Sequence, residues 1–305
     1  MPVTYPGGGP RITVEALLRN PRFIARALTD LARKRFVSDR IFARGNVEGG
    51  AVLYQKAESI YTDRDAEEVN PRSEYPRAGW SEEVFAAVVK KYGLEVPISD
   101  EAKRRNQMDV VSRAQRKLAN AVVKFVDTVA MNLLTTDADV QTFAASGDWS
   151  TAATDVIFDI AKAQNLISAQ DEGYAGDTMI VNPAQELDLI SDKDIRDALP
   201  REGSIRNSVV TGQPVPMLGL RQILPTNALS AGTVFVLESQ IVGSIADEAP
   251  LADEGYAAYS PGDGQANVYV KTYRNEGVDE TIVRGARFPA MWIAEPKAAV
   301  KITGA

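Results

Sequence analysis

The stretch from Ser99 to Thr135 limits the possible folds more than any other part of the chain. Met108, Val111, Leu118, Val122, Phe125, Val129 and Leu133 recur in steps of three or four, Gln115 fills the one gap, and neither proline nor glycine interrupts. That period predicts a single amphipathic helix. Ser99 is a suitable cap, and Asp100 and Glu101 match the positive end of the helix dipole. About 36 residues at 1.5 Å each give roughly 54 Å, more than a compact domain needs. The segment therefore reads as a spine around which other elements are laid.

The residues before the spine do not look like part of a globule. Val52 to Thr62 (VLYQKAESIYT) is rich in strand formers, and Val84 to Val89 is a second apolar run. Between them lies a charged, turn-rich tip from Asp63 to Arg77, with Pro71 and Pro76. The pattern predicts a long two-stranded projection spanning residues 46–92. A lone hairpin is marginal in water, so this one is expected to be ordered by packing on a neighbour; the alternative is a mobile surface loop.

Charge is distributed unevenly. The chain carries a net −7, yet residues 1–45 hold nine basic residues against Glu15, Asp30 and Asp39. Within them, Asn20-Pro21 starts a helix in which Phe23, Ile24, Ala27, Leu28 and Leu31 form one stripe and arginines take the other side. A basic arm on an acidic body fits contact with a polyanion or an acidic partner; a solvated helix face is the plainer reading. The leader, Met1 to Pro10, has no apolar core, so no signal peptide is expected, and no stretch reaches the roughly 20 consecutive apolar residues of a membrane span.

After the spine the pattern alternates. Thr154 to Leu166 predicts a helix and Thr178 to Val181 a buried strand; Asn182-Pro183 then opens another helix. Thr233 to Leu237, Asn267 to Tyr273, Thr281 to Ile293 and Ala299 to Thr303 read as extended. At about 150 residues per domain, 305 residues suggest two units, and the order of elements is α+β.

The composition removes several kinds of chemistry. The chain has no cysteine and no histidine. Disulfides, zinc-thiolate sites, thiol nucleophiles and every imidazole-dependent triad are therefore excluded. Gly262-Asp263-Gly264 is an isolated Gly-x-Gly without the strand and helix that phosphate binding needs. Asp137 with Asp139, and Asp171-Glu172 with Asp177, lack the spacing of a calcium loop and read as surface acidity. No cofactor, metal or catalytic residue is nominated. Lys56, in a mostly polar strand, is expected to be solvated.

Taken in order, these parts resemble the tailed-bacteriophage major capsid protein family with the Hong Kong 97-type fold. Thr178-Met179-Ile180-Val181-Asn182-Pro183 resembles that family's axial domain. So does Gly212-Gln213-Pro214-Val215-Pro216 running on to Leu224 through Thr233. Arg284 to Arg287 and Glu295 to Lys301 resemble its last peripheral strand and the return strand. The resemblance spans nearly the whole chain, and the order of the motifs carries it.

The resemblance implies residues 1–45 as N-terminal arm, 46–92 as extended loop, 93–147 with 255–295 as peripheral domain, and 148–254 with 296–305 as axial domain. It implies a homo-oligomer of pentamers and hexamers in an icosahedral virion shell. Lys56, Arg64, Glu67, Glu68, Arg72 and Arg77 would be inter-subunit contacts of the extended loop. Arg22, Arg26, Arg33, Lys34 and Arg35 would form an arm facing packaged double-stranded DNA. A separate scaffolding protein, a portal, assembly in the host bacterial cytoplasm and no membrane partner are likewise implied. Some members join an extended-loop lysine to an asparagine with help from a glutamate. Lys56 fits the first role, but Asp279 and Ala286 stand at the other two positions, so no cross-link is expected. An encapsulin-like cellular compartment would keep the same fold. A carboxylate-dependent enzyme would instead need a compact monomer with a deep pocket.

Overall fold

The computed structural model describes residues 13–32, 36–56, 68–69, 74–77, 84–105, 108–151, 154–198, 219–259 and 268–305. In chain order, helices α1 (Val14–Arg19), α2 (Pro21–Ala32) and α3 (Ser38–Ile41) precede strands β1 (Ala43–Val47), β2 (Ala51–Gln55), β3 (Val84–Val88) and β4 (Tyr92–Ser99). Then come α4 (Asp100–Arg104), α5 (Met108–Thr136), β5 (Gln141–Ala144), α6 (Val156–Ser168), β6 (Thr178–Val181), α7 (Pro183–Ser191) and α8 (Lys193–Ala198). Strands β7 (Gln222–Pro225), β8 (Thr233–Leu237), β9 (Gly243–Glu248), β10 (Tyr269–Asn275), β11 (Glu280–Arg287), β12 (Pro289–Ile293) and β13 (Ala299–Thr303) complete the chain.

The expected spine is two helices. Ser99 caps α4 as anticipated, its hydroxyl accepting from Ala102 N–H. Arg105 then closes α4 in a turn, and α5 starts at Met108. No apolar residue occurs from Lys103 to Gln107, so the sequence offers no apolar anchor over more than one turn. The 29 residues of α5 still span about 43 Å. By length, and by a mean hydropathy of 1.2 over its most apolar 18 residues, α5 is apolar enough to cross a bilayer. Its packing accounts for that character: Val111, Leu118, Val122, Val126, Met131 and Leu134 lie in the main core with Ile24, Leu28, Phe36 and Phe42.

The α5 helix lies on the antiparallel sheet β10-β11-β4 and comes close to the backbone at Gly285. A Cβ there would sit 3.0 Å from Leu118, so glycine sets the helix-to-sheet distance. The second large sheet has the order β5-β13-β8-β6-β7, with β13 parallel to β5 and antiparallel to β8. All five residues of β8 are buried. Phe235 and Leu237 face the main core, while Val234 and Val236 join Ile160, Ile167, Met179, Val300 and Ile302 in a second core under α6. Covering both faces explains why this strand is a continuous apolar run. At Asn182-Pro183 the asparagine side chain accepts from Ala184 N–H and opens α7, as the sequence predicts.

A third sheet, β1-β9-β12, was not legible in the sequence. Here β1 runs parallel to β9, pairing Ala43 with Ser244 and Val47 with Glu248, and so anchors the end of the N-terminal segment 200 residues away. The inward face of α2 also differs from expectation. It comprises Ile24, Ala25, Leu28, Thr29 and Ala32, leaving Phe23 49% exposed. Small residues at 25, 29 and 32 let α2 pack close to α5, an advantage that a search for large apolar residues misses.

Candidate subunit interface

The projecting hairpin has two chemically distinct faces. Strands β2 and β3 pair antiparallel, Ala51 opposite Val88, Leu53 opposite Ala86 and Gln55 opposite Val84. Directly opposed residues share a face. The inner face carries Val52, Tyr54, Phe85 and Ala87. Tyr54 stacks on Phe85 at 5.8 Å and on Trp292 of β12 at 5.6 Å between ring centroids, which ties the hairpin root to the body. Gly50 N–H donates to Glu248 Oε1 at 3.0 Å, and Lys90 N–H donates to the Pro289 carbonyl at 3.1 Å. The outer face carries Leu53, Val84 and Val88, exposed by 74%, 57% and 60%. Contiguous exposed apolar surface of this kind marks an interaction site.

Below the hairpin, α5 and β4 enclose an apolar groove of about 320 Å³ lined by Tyr92, Leu94, Val122 and Phe125. Phe125 is 54% exposed, and its ring lies 5.2 Å from that of Tyr92. Lys91 borders the groove and lies over the rings of Tyr256 and Phe288.

Three buried carboxylates hold the N-terminal segment against the body. Asp127 of α5 accepts from Val37 N–H at 3.1 Å, Ser38 N–H at 3.0 Å and the Ser38 hydroxyl at 2.7 Å. Burial pushes its carboxyl above the usual aspartate range, against those three donors. Arg287 of β11 is fully buried and bridges Asp247 of β9 to Asp39 of α3. Its Nε donates to Asp247 Oδ1 at 2.8 Å, and its Nη2 donates to Asp247 Oδ2 at 2.9 Å and to Asp39 Oδ1 at 2.7 Å. The guanidinium also lies 4.7 Å over the Phe36 ring. Burial raises the Asp247 carboxyl, while the charge of Arg287 opposes the rise. This cluster escaped sequence reasoning, although one signal was present: two arginines, Arg284 and Arg287, inside the apolar run TIVRGARFPAMWI.

Lys56 is held within its own chain, not solvated as expected. Its ammonium donates to Asp137 at 3.1 Å and to Asp139, and its side chain is 20% exposed. Burial works against its charge, but the two carboxylates outweigh that and raise its pKa above the usual lysine value. The acidic pair that might have suggested calcium thus holds a lysine. Glu68 and Arg77 are exposed. Arg22 is exposed, and Arg26 lies 3.9 Å from Asp30 and 5.4 Å from the centre of the Tyr259 ring. Arg64, Glu67, Arg72, Arg33, Lys34 and Arg35 lie outside the described residues, as do residues 212–216 and 262–264. Asp279 occupies the β10–β11 turn and accepts from Arg274, and Ala286 is buried in β11. Among the described residues, no group of three acidic side chains is placed to hold a metal.

Long helix, paired sheets and hairpin together define the class. The fold is that of tailed-phage capsid subunits, the Hong Kong 97-type. The virus-like particle from Pyrococcus furiosus is similar with a TM-score of 0.60 at 15% identity, over 92% of this chain and 98% of that one. A Mycobacterium phage Che8 structure matches at 0.58 and 13% identity over 99% and 96%, and the cyanophage P-SCSP1u capsid at 0.60 and 12% over 88% of each. No curated protein sequence matches. The phage capsid protein family matches residues 82–302, and the chain belongs to that family. It is a shell-forming major capsid protein, a homo-oligomeric structural component of the virion.

Proposed function

We propose that the chain assembles as pentamers and hexamers into an icosahedral shell around a double-stranded DNA genome, with each hairpin laid across a neighbouring subunit and no covalent cross-link. Residues 1–45 would be the arm, 46–92 the extended loop, 93–147 with 255–295 the peripheral domain, and 148–254 with 296–305 the axial domain. The observation that carries this reading is the outer face of the hairpin. Leu53, Val84 and Val88 project into solvent from an element with little core of its own, so burial on a second copy supplies what the monomer lacks. Glu68 and Arg77, and in the same reading Lys56, Arg64, Glu67 and Arg72, border that contact. A separate scaffolding protein and a portal complete the assembly, in the bacterial cytoplasm. Arg22 and Arg26, with Arg33, Lys34 and Arg35, meet the DNA by charge alone.

The test places charge on that face. Leu53→Asp with Val88→Asp should leave the circular dichroism of the subunit unchanged and abolish closed shells in negative-stain micrographs; normal shells from this variant refute the reading. The absence of a cross-link is supported by the Asp279 carboxylate, already engaged by Arg274, and by the methyl group at Ala286. Shells boiled in SDS should run as one band near 33.1 kDa. A ladder of covalent multimers contradicts this part.

A further inference from the structure

We infer that the solvent face of the first half of α5 is a second phosphate-contacting surface, which binds the backbone of duplex DNA without reading its sequence. The inference rests on the reading that the shell encloses nucleic acid, but on different residues from those of the arm. At 100° per residue, Arg113, Arg116, Lys117 and Lys124 fall within about 100° of arc, opposite the buried Val111, Leu118 and Val122. All four are exposed. From Arg104 to Lys124 the chain has six basic residues against the single Asp109, in a protein of net charge −7.

Two further observations favour a ligand over a merely solvated face. First, many cations elsewhere among the described residues are paired with carboxylates. Arg274 is held by Asp100 and Asp279, Lys297 by Glu172, Lys56 by Asp137, and Arg19 by Glu15. On the α5 face, Arg113 and Arg116 donate only to backbone carbonyls one turn back, and among the described residues none of the four has a carboxylate partner. Second, this arc has no large apolar side chain. A protein partner would want an apolar or aromatic centre to its footprint, whereas phosphates need only charge. The four cations extend over about 16 Å of helix, along which duplex DNA presents roughly ten phosphate charges.

The experiment titrates unassembled full-length protein against a fluorescent 30-base-pair duplex of arbitrary sequence over a series of salt concentrations. The triple substitution Arg113→Gln/Arg116→Gln/Lys117→Gln keeps good helix formers on an exposed face, so the fold should survive, as circular dichroism will check. Binding should weaken at least tenfold near 0.1 M salt. The slope of log K against log salt should fall by about 2–3, close to 0.9 per lost phosphate contact. Arg113→Lys/Arg116→Lys should retain the wild-type slope. An unchanged slope in the triple variant overturns the inference, as does binding abolished by Arg22→Gln/Arg26→Gln alone. Equal, equally sensitive binding of polyglutamate points to an acidic protein partner and also overturns it. Shell formation is scored separately by microscopy. Failure of the wild-type protein to form shells counts against the shell reading, whereas the duplex titration reads the α5 face with or without shells.

Discussion

Replacing Arg287 with methionine tests how the N-terminal segment is fastened. Methionine roughly fills the space of the guanidinium without charge or donors. It removes three hydrogen bonds of 2.7–2.9 Å, strands Asp247 and takes one cation from Asp39; their side chains are 5% and 0% exposed. Breaking a buried ion pair on one side costs about 3–5 kcal/mol. Arg44, 3.3 Å from Asp39, remains as partial compensation and holds the expected cost to about 3–4 kcal/mol. At about 2–4 °C per kcal/mol for a chain of this size, the midpoint should fall by roughly 6–15 °C in thermal melts of unassembled subunits.

The pH dependence gives the same argument a second readout. In the wild type, burial raises the Asp247 carboxyl and Arg287 opposes it. Without Arg287 only the charge of Arg44 still opposes the rise, and the folded pKa lies further above the unfolded one. A group raised in this way favours the protonated form when folded. Its penalty is absent below the unfolded value and develops as pH rises through the folded value. The deficit of the variant should therefore be larger at pH 7 than at pH 5. Adding Asp39→Asn and Asp247→Asn to Arg287→Met should recover at least half of the loss, because no charge is left buried. A deficit below about 1 kcal/mol, or one independent of pH, refutes the reasoning.

Two other perturbations follow from the geometry. Asp159 is 1% exposed and accepts from Ser146 N–H, the Ser146 hydroxyl and the Trp149 indole N–H. Asp159→Ala should cost about 2–4 kcal/mol in urea unfolding followed by tryptophan fluorescence, since it leaves buried donors unmet; a loss below 1 kcal/mol contradicts the assignment. Tyr54→Ala removes the ring that stacks on Phe85 and Trp292, so amide exchange at 51–55 and 84–88 should quicken while the global midpoint barely moves.

Local features could be read directly from the sequence where local physics decides them. The periodicity of residues 108–135, the Asn182-Pro183 helix start, the doubly buried run of β8 and the closing strand all depend on neighbours a few residues away. The missing histidine and cysteine were equally plain, and they removed whole classes of chemistry. The break at Arg105 was half legible, in the five residues without an apolar anchor.

What joins these parts was not legible. Nothing local distinguishes Ala43–Val47 from loop, since it becomes a strand only because the edge of β9 lies beside it. Asp39, Asp247 and Arg287 read as three ordinary charges, and so did Asp127. Their roles come from desolvation, which depends on what folds over a side chain rather than on what precedes it. Lys56 looked solvated because its carboxylates lie more than 80 residues further along the chain. The sequence alone determined many of the local elements and the chemistry the protein lacks. Only the tertiary structure decided which charges are buried and paired, because burial and long-range strand pairing are set by contacts between segments far apart in the chain.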